Sequence, residues 1–126
     1  MENEGSELLI AACQKNNFEI VKYLVESGVN IHEKNSDGWD AFFYSIKKGN
    51  IDIVKYLYKK GRNLNEKDNK GRNALMIATQ NNQFEIVKYL IKVGININEC
   101  DNNNWNALFY AAKKGFLDIA KFLVEH

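Results

Sequence analysis

The stretch Asp68 to Gly94 recurs along this chain with a period of 33 residues, and that recurrence limits the fold more than any other feature. Moved back by one period, Gly71 falls on Gly38, Ala74 on Ala41, Ile86-Val87-Lys88-Tyr89-Leu90 on Ile53-Val54-Lys55-Tyr56-Leu57 and Gly94 on Gly61. Moved forward, Ala74-Leu75 falls on Ala107-Leu108, Ile86 on Ile119 and Leu90 on Leu123. Two periods back, Phe18 to Leu24 reads the same seven residues as Phe84 to Leu90. No gap is needed, so the 126 residues divide into four units at roughly 2–34, 35–67, 68–100 and 101–126. A fixed period of this length is the mark of a solenoid, in which each unit buries its apolar face only against its neighbours. A single domain is therefore expected over 1–126.

Within each unit the apolar residues follow helical spacing twice. The first unit places Leu8, Leu9, Ala11 and Ala12 on a helix starting near Glu7, broken at Asn16-Asn17. Its second helix carries Phe18, Ile20, Val21, Leu24 and Val25 and is closed by Gly28. Asn35-Ser36-Asp37-Gly38 is a turn cluster. Asp40, Asn73 and Asn106 are expected N-caps for helices over 41–48, 74–81 and 107–114. The second helices run over the 50s, over 84–93 and over 117–125; Asp52 falls in a first turn, where negative charge suits the helix dipole.

The pattern D-x-x-G-x-x-A-L-x-x-A, followed by E/D-I-V-K-Y-L-x-x-x-G-x-x-I-N, resembles the ankyrin repeat and extends over essentially the whole chain. Ser6 to Asn16 resembles the N-terminal capping repeat of such proteins. The resemblance implies an all-α fold, an ankyrin-repeat solenoid of stacked helix-turn-helix units joined by β-hairpin-like loops. The family's T-P-L-H box appears here as D-A-F-F (Asp40 to Phe43), N-A-L-M (Asn73 to Met76) and N-A-L-F (Asn106 to Phe109). None of these boxes holds threonine or histidine, and the chain has no proline, so the threonine–histidine ties between neighbouring hairpins that are usual in the family are absent. Asn16, Asn82 and Asn104 stand where glycine is usual; asparagine is the next best residue for a left-handed turn. Units one and three share F-E-I-V-K-Y-L, whereas units two and four share W-x-A-x-F-Y followed by Lys-Lys-Gly, which points to duplication of a 66-residue block.

The same resemblance implies a non-catalytic module for protein–protein interaction, which binds a protein or peptide through its concave face and hairpin tips. By register, the partner-binding positions are Lys34, Ser36, Asp37, Trp39, Lys47, Lys48, Lys67, Asn69, Lys70, Arg72, Gln80, Asn81, Asn102, Asn103, Trp105, Lys113 and Lys114, with Cys100 as an exposed thiol at a tip. The set is rich in lysine and holds both tryptophans, a residue type favoured at interface hot spots. A groove of that lining suits an acidic or mixed acidic-apolar partner. In the competing reading each tryptophan covers the next repeat and the lysines form a solvated face. The sister residues of the tryptophans are Arg72 and Ser6, a range that argues against simple packing.

Other aromatic residues are expected to pack: Phe42, Phe43, Tyr44, Phe109 and Tyr110 in the first helices, and Tyr23, Tyr56, Tyr89 and Phe122 between repeats. Arg62 stands where Val29 and Ile95 are aliphatic, and its head is expected to swing outward on a snorkelling stem.

Two alternatives remain at this level: binding of nucleic acid or another anionic surface through the basic groove, with the tryptophans stacking on bases, and a structural or targeting segment of a larger protein. The net charge of +1 favours neither nucleic acid nor any other charged partner class, and nucleic acid is the less favoured partner. No enzyme, cofactor or metal is expected. The only histidines, His32 and His126, have no zinc spacing to Cys13 or Cys100, and no phosphate-cradling glycine loop occurs. The two cysteines sit at non-equivalent repeat positions and are not expected to bridge, which fits a reducing compartment. The acidic start Met1 to Gly5 is unlike a signal peptide, and Leu8 to Cys13 is too short an apolar run to span a bilayer. A cytoplasmic monomer is expected, its end repeats shielded in part by polar residues such as Glu125 and His126.

Overall fold

A computed structural model describes residues 4–126 of the chain. Among the described residues eight helices follow one another as four consecutive pairs: α1 (Glu4–Gln14) with α2 (Phe18–Glu26), α3 (Ala41–Lys48) with α4 (Ile51–Lys59), α5 (Ala74–Gln80) with α6 (Phe84–Lys92), and α7 (Ala107–Lys114) with α8 (Leu117–Glu125). There is no strand among the described residues, so the expected β-hairpin-like loops are turns without a ladder. The chain forms two compact units, Met1–Asn63 and Leu64–His126, each holding two helix pairs.

The first helices of repeats two to four begin where a short polar side chain precedes Ala. Asp40 accepts from the Phe43 N–H (3.1 Å), Asn73 from Met76 (3.0 Å) and Asn106 from Phe109 (2.9 Å), which satisfies a donor that the helix leaves orphaned. In repeat one Asn17 does the same for α2, accepting from Ile20 (3.2 Å). The helices α4, α6 and α8 lack a side-chain cap bond and instead carry Asp52, Glu85 and Asp118 in the first turn. At the end of each first helix the chain turns through a left-handed residue: Asn16 (φ 56°), Gly49 (78°), Asn82 (57°) and Gly115 (77°). These are sister positions, and asparagine replaces glycine in alternate repeats as the sequence indicates. Helix α1 starts three residues earlier than expected, at Glu4.

In the first unit α1 packs on α2 and α3, and α4 on α3 and α2. Leu9, Cys13, Val21, Phe42, Phe43, Ile46, Ile53 and Leu57 are buried there. In the second unit α5 packs on α6 and α7, and α8 on α7 and α6, around Leu75, Met76, Ile77, Ile86, Leu90, Ile119 and Leu123. Phe18 meets Tyr56 edge-on (centroids 5.5 Å apart) and Phe84 meets Phe122 in the same way (5.8 Å), one such pair per unit.

Two aromatic expectations need correction. Tyr23 does not pack between repeats; it is largely exposed, because no earlier repeat lies against α2 among the described residues. Phe109 is exposed over almost half its surface, although its ring stacks on Trp105. Arg62 also departs from expectation. It does not swing outward but is 2% exposed, with Nε 2.5 Å from Asp40 Oδ2 and its Cζ 4.7 Å from the ring centres of both Phe42 and Phe43. A second guanidinium nitrogen donates to the Asn63 carbonyl. Burial is tolerated because Asp40 sits within reach at the start of α3; the aspartate serves as both helix cap and counter-ion.

Candidate functional site

Each inter-repeat tip is built from one short polar residue. Asn35 Oδ1 accepts from the N–H groups of Asp37 (3.0 Å) and Trp39 (2.9 Å). Asp68 Oδ1 accepts from Lys70 (3.0 Å) and Arg72 (2.9 Å), and Asp101 Oδ1 from Asn103 and Trp105 (2.9 Å each). The first residue of each tip thus organises the next four, an Asx turn repeated at every tip. The main chain closes the same loops, from Asn35, Asp68 and Asp101 N–H to the carbonyls of Trp39, Arg72 and Trp105. In the second unit neighbouring tips are joined: Asn102 N–H donates to the Lys70 carbonyl (3.0 Å), Asn102 Nδ2 to the Asn69 carbonyl (3.1 Å), and Lys67 pairs with Glu99 (2.8 Å). These bonds tie the two tips of the second unit directly to one another. Sequence inspection did not single out Asp68 and Asp101 as tip organisers, although the spacing Asx-x-x-Gly/Asn at all three tips carries the signal.

The buried Asp101 carboxylate also accepts from the Tyr110 hydroxyl. Burial opposes its charge, yet the Tyr110 hydroxyl, the Trp105 and Asn103 N–H groups and nearby Arg72 together hold it below its ordinary carboxylate value. Burial, with the same carboxylate, pushes the Tyr110 phenol up.

The tip and inner-helix positions divide by exposure. Lys34, Ser36, Asp37, Lys47 and Lys48 are exposed in the first unit; Lys67, Asn69, Lys70, Asn102, Asn103, Lys113 and Lys114 are exposed in the second. Arg72, Gln80, Asn81 and Trp105 are half-buried, and Asn81 turns its amide back onto the Ile77 carbonyl (2.8 Å). Trp39 is 8% exposed, tilted against Phe43 and edge-on to Tyr44, with Lys47 Nζ 5.9 Å from its ring centre. Trp105 repeats this arrangement on Phe109, Tyr110 and Lys113, whose Nζ lies 4.3 Å from the ring centre.

At the sister position Arg72 bonds Asp68 (2.8 Å) and, through Nη1, Gln80 Oε1 (2.8 Å). The residue eight places on is Lys47, Gln80 or Lys113, so the partner changes with the tip residue. The range Trp–Arg–Trp therefore belongs to a packing position whose contacts change as a pair.

A family model described as Ankyrin repeats (3 copies) matches residues 1–68 and again 62–126. The chain belongs to the ankyrin-repeat family. The four helix pairs form an all-α helical repeat solenoid of that kind, of repeats that serve in general as protein–protein interaction modules and are typically non-enzymatic. No curated protein matches the chain.

Among the described residues no group of three or more His, Cys, Asp and Glu side chains could hold a metal ion, and no helix is long and apolar enough to cross a membrane. Both cysteines are free: Cys13 is buried and Cys100 half-buried. Burial, with the Asp40 charge nearby, pushes the Cys13 thiol up to about 12.

Proposed function

We propose that this ankyrin-repeat protein binds an acidic segment of another protein through the tips and first helices of its repeats. The observation that carries the reading is a pair of exposed lysines at the end of α3 (Lys47, Lys48) and of α7 (Lys113, Lys114), each pair beside a tryptophan. In the second unit Lys70 adds to the positive face and the half-buried edge of Trp105 offers an apolar contact. Asp37 is the sole acid among the proposed positions. Lysines in a last helical turn also suit the dipole, so their presence alone does not identify a partner; their concentration beside partly open aromatic surface supports one. The two free cysteines suit a reducing, cytoplasmic setting.

The test is a peptide array of matched acidic, neutral and basic sequences, each with and without an aromatic residue. Acidic peptides are expected to bind, and Lys113→Glu/Lys114→Glu is expected to weaken them about tenfold, or about 1.4 kcal/mol. Equal binding of basic peptides, or no effect of the charge reversal, overturns the reading. Tighter binding of single-stranded nucleic acid, collapsing steeply as salt rises, would replace it with the anionic-polymer reading.

A further inference from the structure

The tryptophan–lysine constellation occurs once in each compact unit, its two copies 66 residues apart in the chain. In the first unit Trp39 lies against Phe43 (ring centres 5.8 Å apart) and Tyr44 (5.0 Å), with Lys47 Nζ 5.9 Å from its ring centre and the exposed Lys48 next in the chain. In the second unit Trp105 lies against Phe109 (4.6 Å) and Tyr110 (5.6 Å), with Lys113 Nζ at 4.3 Å and the exposed Lys114 following. The other two repeats lack the arrangement. Repeat one has Ser6, Gln14 and Lys15 at the sister positions. Repeat three has Arg72, Gln80 and Asn81, and its guanidinium is held by Asp68 (2.8 Å) and by Gln80 (2.8 Å). The charge of Arg72 is thus matched inside its own repeat, whereas each lysine pair faces solvent.

We propose, on the basis of the acidic-partner reading, that each unit is a separate site, and that the partner carries two acidic segments joined by a neutral spacer. The alternation of the repeats argues for two segments over one continuous acidic run. At the sister positions of the tryptophan and the lysine pair, repeat three holds no charge that Asp68 has not already matched, so a carboxylate gains little there for the hydration it loses. Lys70, on the tip of repeat three, belongs with the second site, because its carbonyl accepts from Asn102 N–H (3.0 Å) on the tip of repeat four. The two sites are unequal. Asp37 stands on the tip of the first, two residues before Trp39, and its sister on the tip of the second is the neutral Asn103. The Asp37 carboxylate repels an acidic segment, so the first site is the weaker. Joining the two segments makes the second binding event intramolecular, and the joined pair binds more tightly than either segment without any new contact.

The experiment is calorimetric titration of the 126-residue chain with a synthetic acidic peptide bearing one aromatic residue, and with two copies of that peptide joined by flexible glycine-serine linkers of graded length. The single peptide is expected to saturate at two per chain, with unequal affinities. The joined peptide, at its best linker length, is expected to saturate at one per chain and to bind about a hundredfold more tightly than the single one. Lys48→Glu and Lys114→Glu alter exposed lysines that follow the ones held over the rings, so helical circular dichroism should not change; if either glutamate disturbs it, glutamine replaces it. Each variant should remove most of the gain from joining, while the single peptide still fills the remaining site. Asp37→Asn should tighten the weaker site alone. Saturation by the single peptide at one per chain, or a joined peptide no tighter than the single one at every linker length, overturns the proposal and leaves the acidic-partner reading standing with one site in use at a time. A single acidic peptide that does not bind at all refutes that reading, and the two-site proposal falls with it.

Discussion

Replacing Asp40 with asparagine separates its two roles. Asparagine caps a helix about as well as aspartate, and Asn73 and Asn106 do so at the sister positions. The Asp40→Asn change therefore keeps the cap of α3 and removes only the charge opposite Arg62. The Arg62 and Asp40 side chains are 1% and 0% exposed, so the guanidinium stays buried against Phe42 and Phe43 without the Asp40 charge. Breaking a buried pair in this way costs about 3–5 kcal/mol. In urea, with a slope of about 2 kcal/mol per M, the midpoint is expected to fall by about 1.5–2.5 M. The rescue is written elsewhere in the same protein: the corresponding pair in the next repeat is Asn73 with the buried Ile95. The double variant Asp40→Asn/Arg62→Ile should recover most of the loss, because a packed apolar replacement of a buried ion pair is often neutral or stabilising. Urea unfolding followed by circular dichroism decides the matter. A single variant that costs less than about 1 kcal/mol means that the pair is worth no more than an exposed one. A double variant no more stable than the single means that the aliphatic side chain cannot fill the site.

Two further outcomes follow from the tips. Gly71→Ala and Gly115→Ala both place a side chain at a left-handed residue (φ 79° and 77°), at about 1–2 kcal/mol each. At Gly71 the added methyl also meets Asn102, whose backbone nitrogen would lie 2.8 Å away, whereas nothing stands within 4 Å at Gly115. Gly71→Ala should therefore cost about 1–3 kcal/mol more; equal losses in thermal unfolding would show that Asn102 yields freely. Acid provides the second case. The Asp101 carboxyl is held below its unfolded value, so its stabilisation is present above that value and is lost as pH falls through the folded one. Removing the hydroxyl donor with Tyr110→Phe should open a stability gap that is widest at neutral pH and narrows through the carboxylate range. A gap independent of pH would mean that the bond does not depend on the charge.

The fold was legible because it is written four times. Helix ends, caps and left-handed asparagines could be checked against sister residues, and Asp40, Asn73, Asn106, Asn16 and Asn82 all stand as their positions imply. The errors fall where one repeat departs from the others. Arg62 has no charged sister, so nothing in the repeat pattern announced its partner 22 residues earlier. Tyr23 is the sister of Tyr56, which Phe18 of the preceding repeat covers edge-on; no described residue covers Tyr23 in the same way, so the same residue type at the same repeat position stands largely exposed.

The candidate site was harder to read because a residue's range across repeats says little until its neighbours are known. Trp39, Arg72 and Trp105 seemed too different to fill one packing position. Each nonetheless sits over its own tip and meets the residue eight places on, Trp with Lys in two repeats and Arg with Gln in the third. The chemistry changes from cation over ring to donor and acceptor, while the geometry persists. Such a pair cannot be altered one member at a time without loss. Specificity for a partner is accordingly expected in the residues free of that coupling. Lys48 and Lys114 lie next to the coupled Lys47 and Lys113 on the last turns of α3 and α7, and they are exposed. If an acidic segment binds here, charge reversal at Lys114 should weaken it while leaving stability unchanged. Reversal at Lys113 should reduce both, because its ammonium already lies over the Trp105 ring.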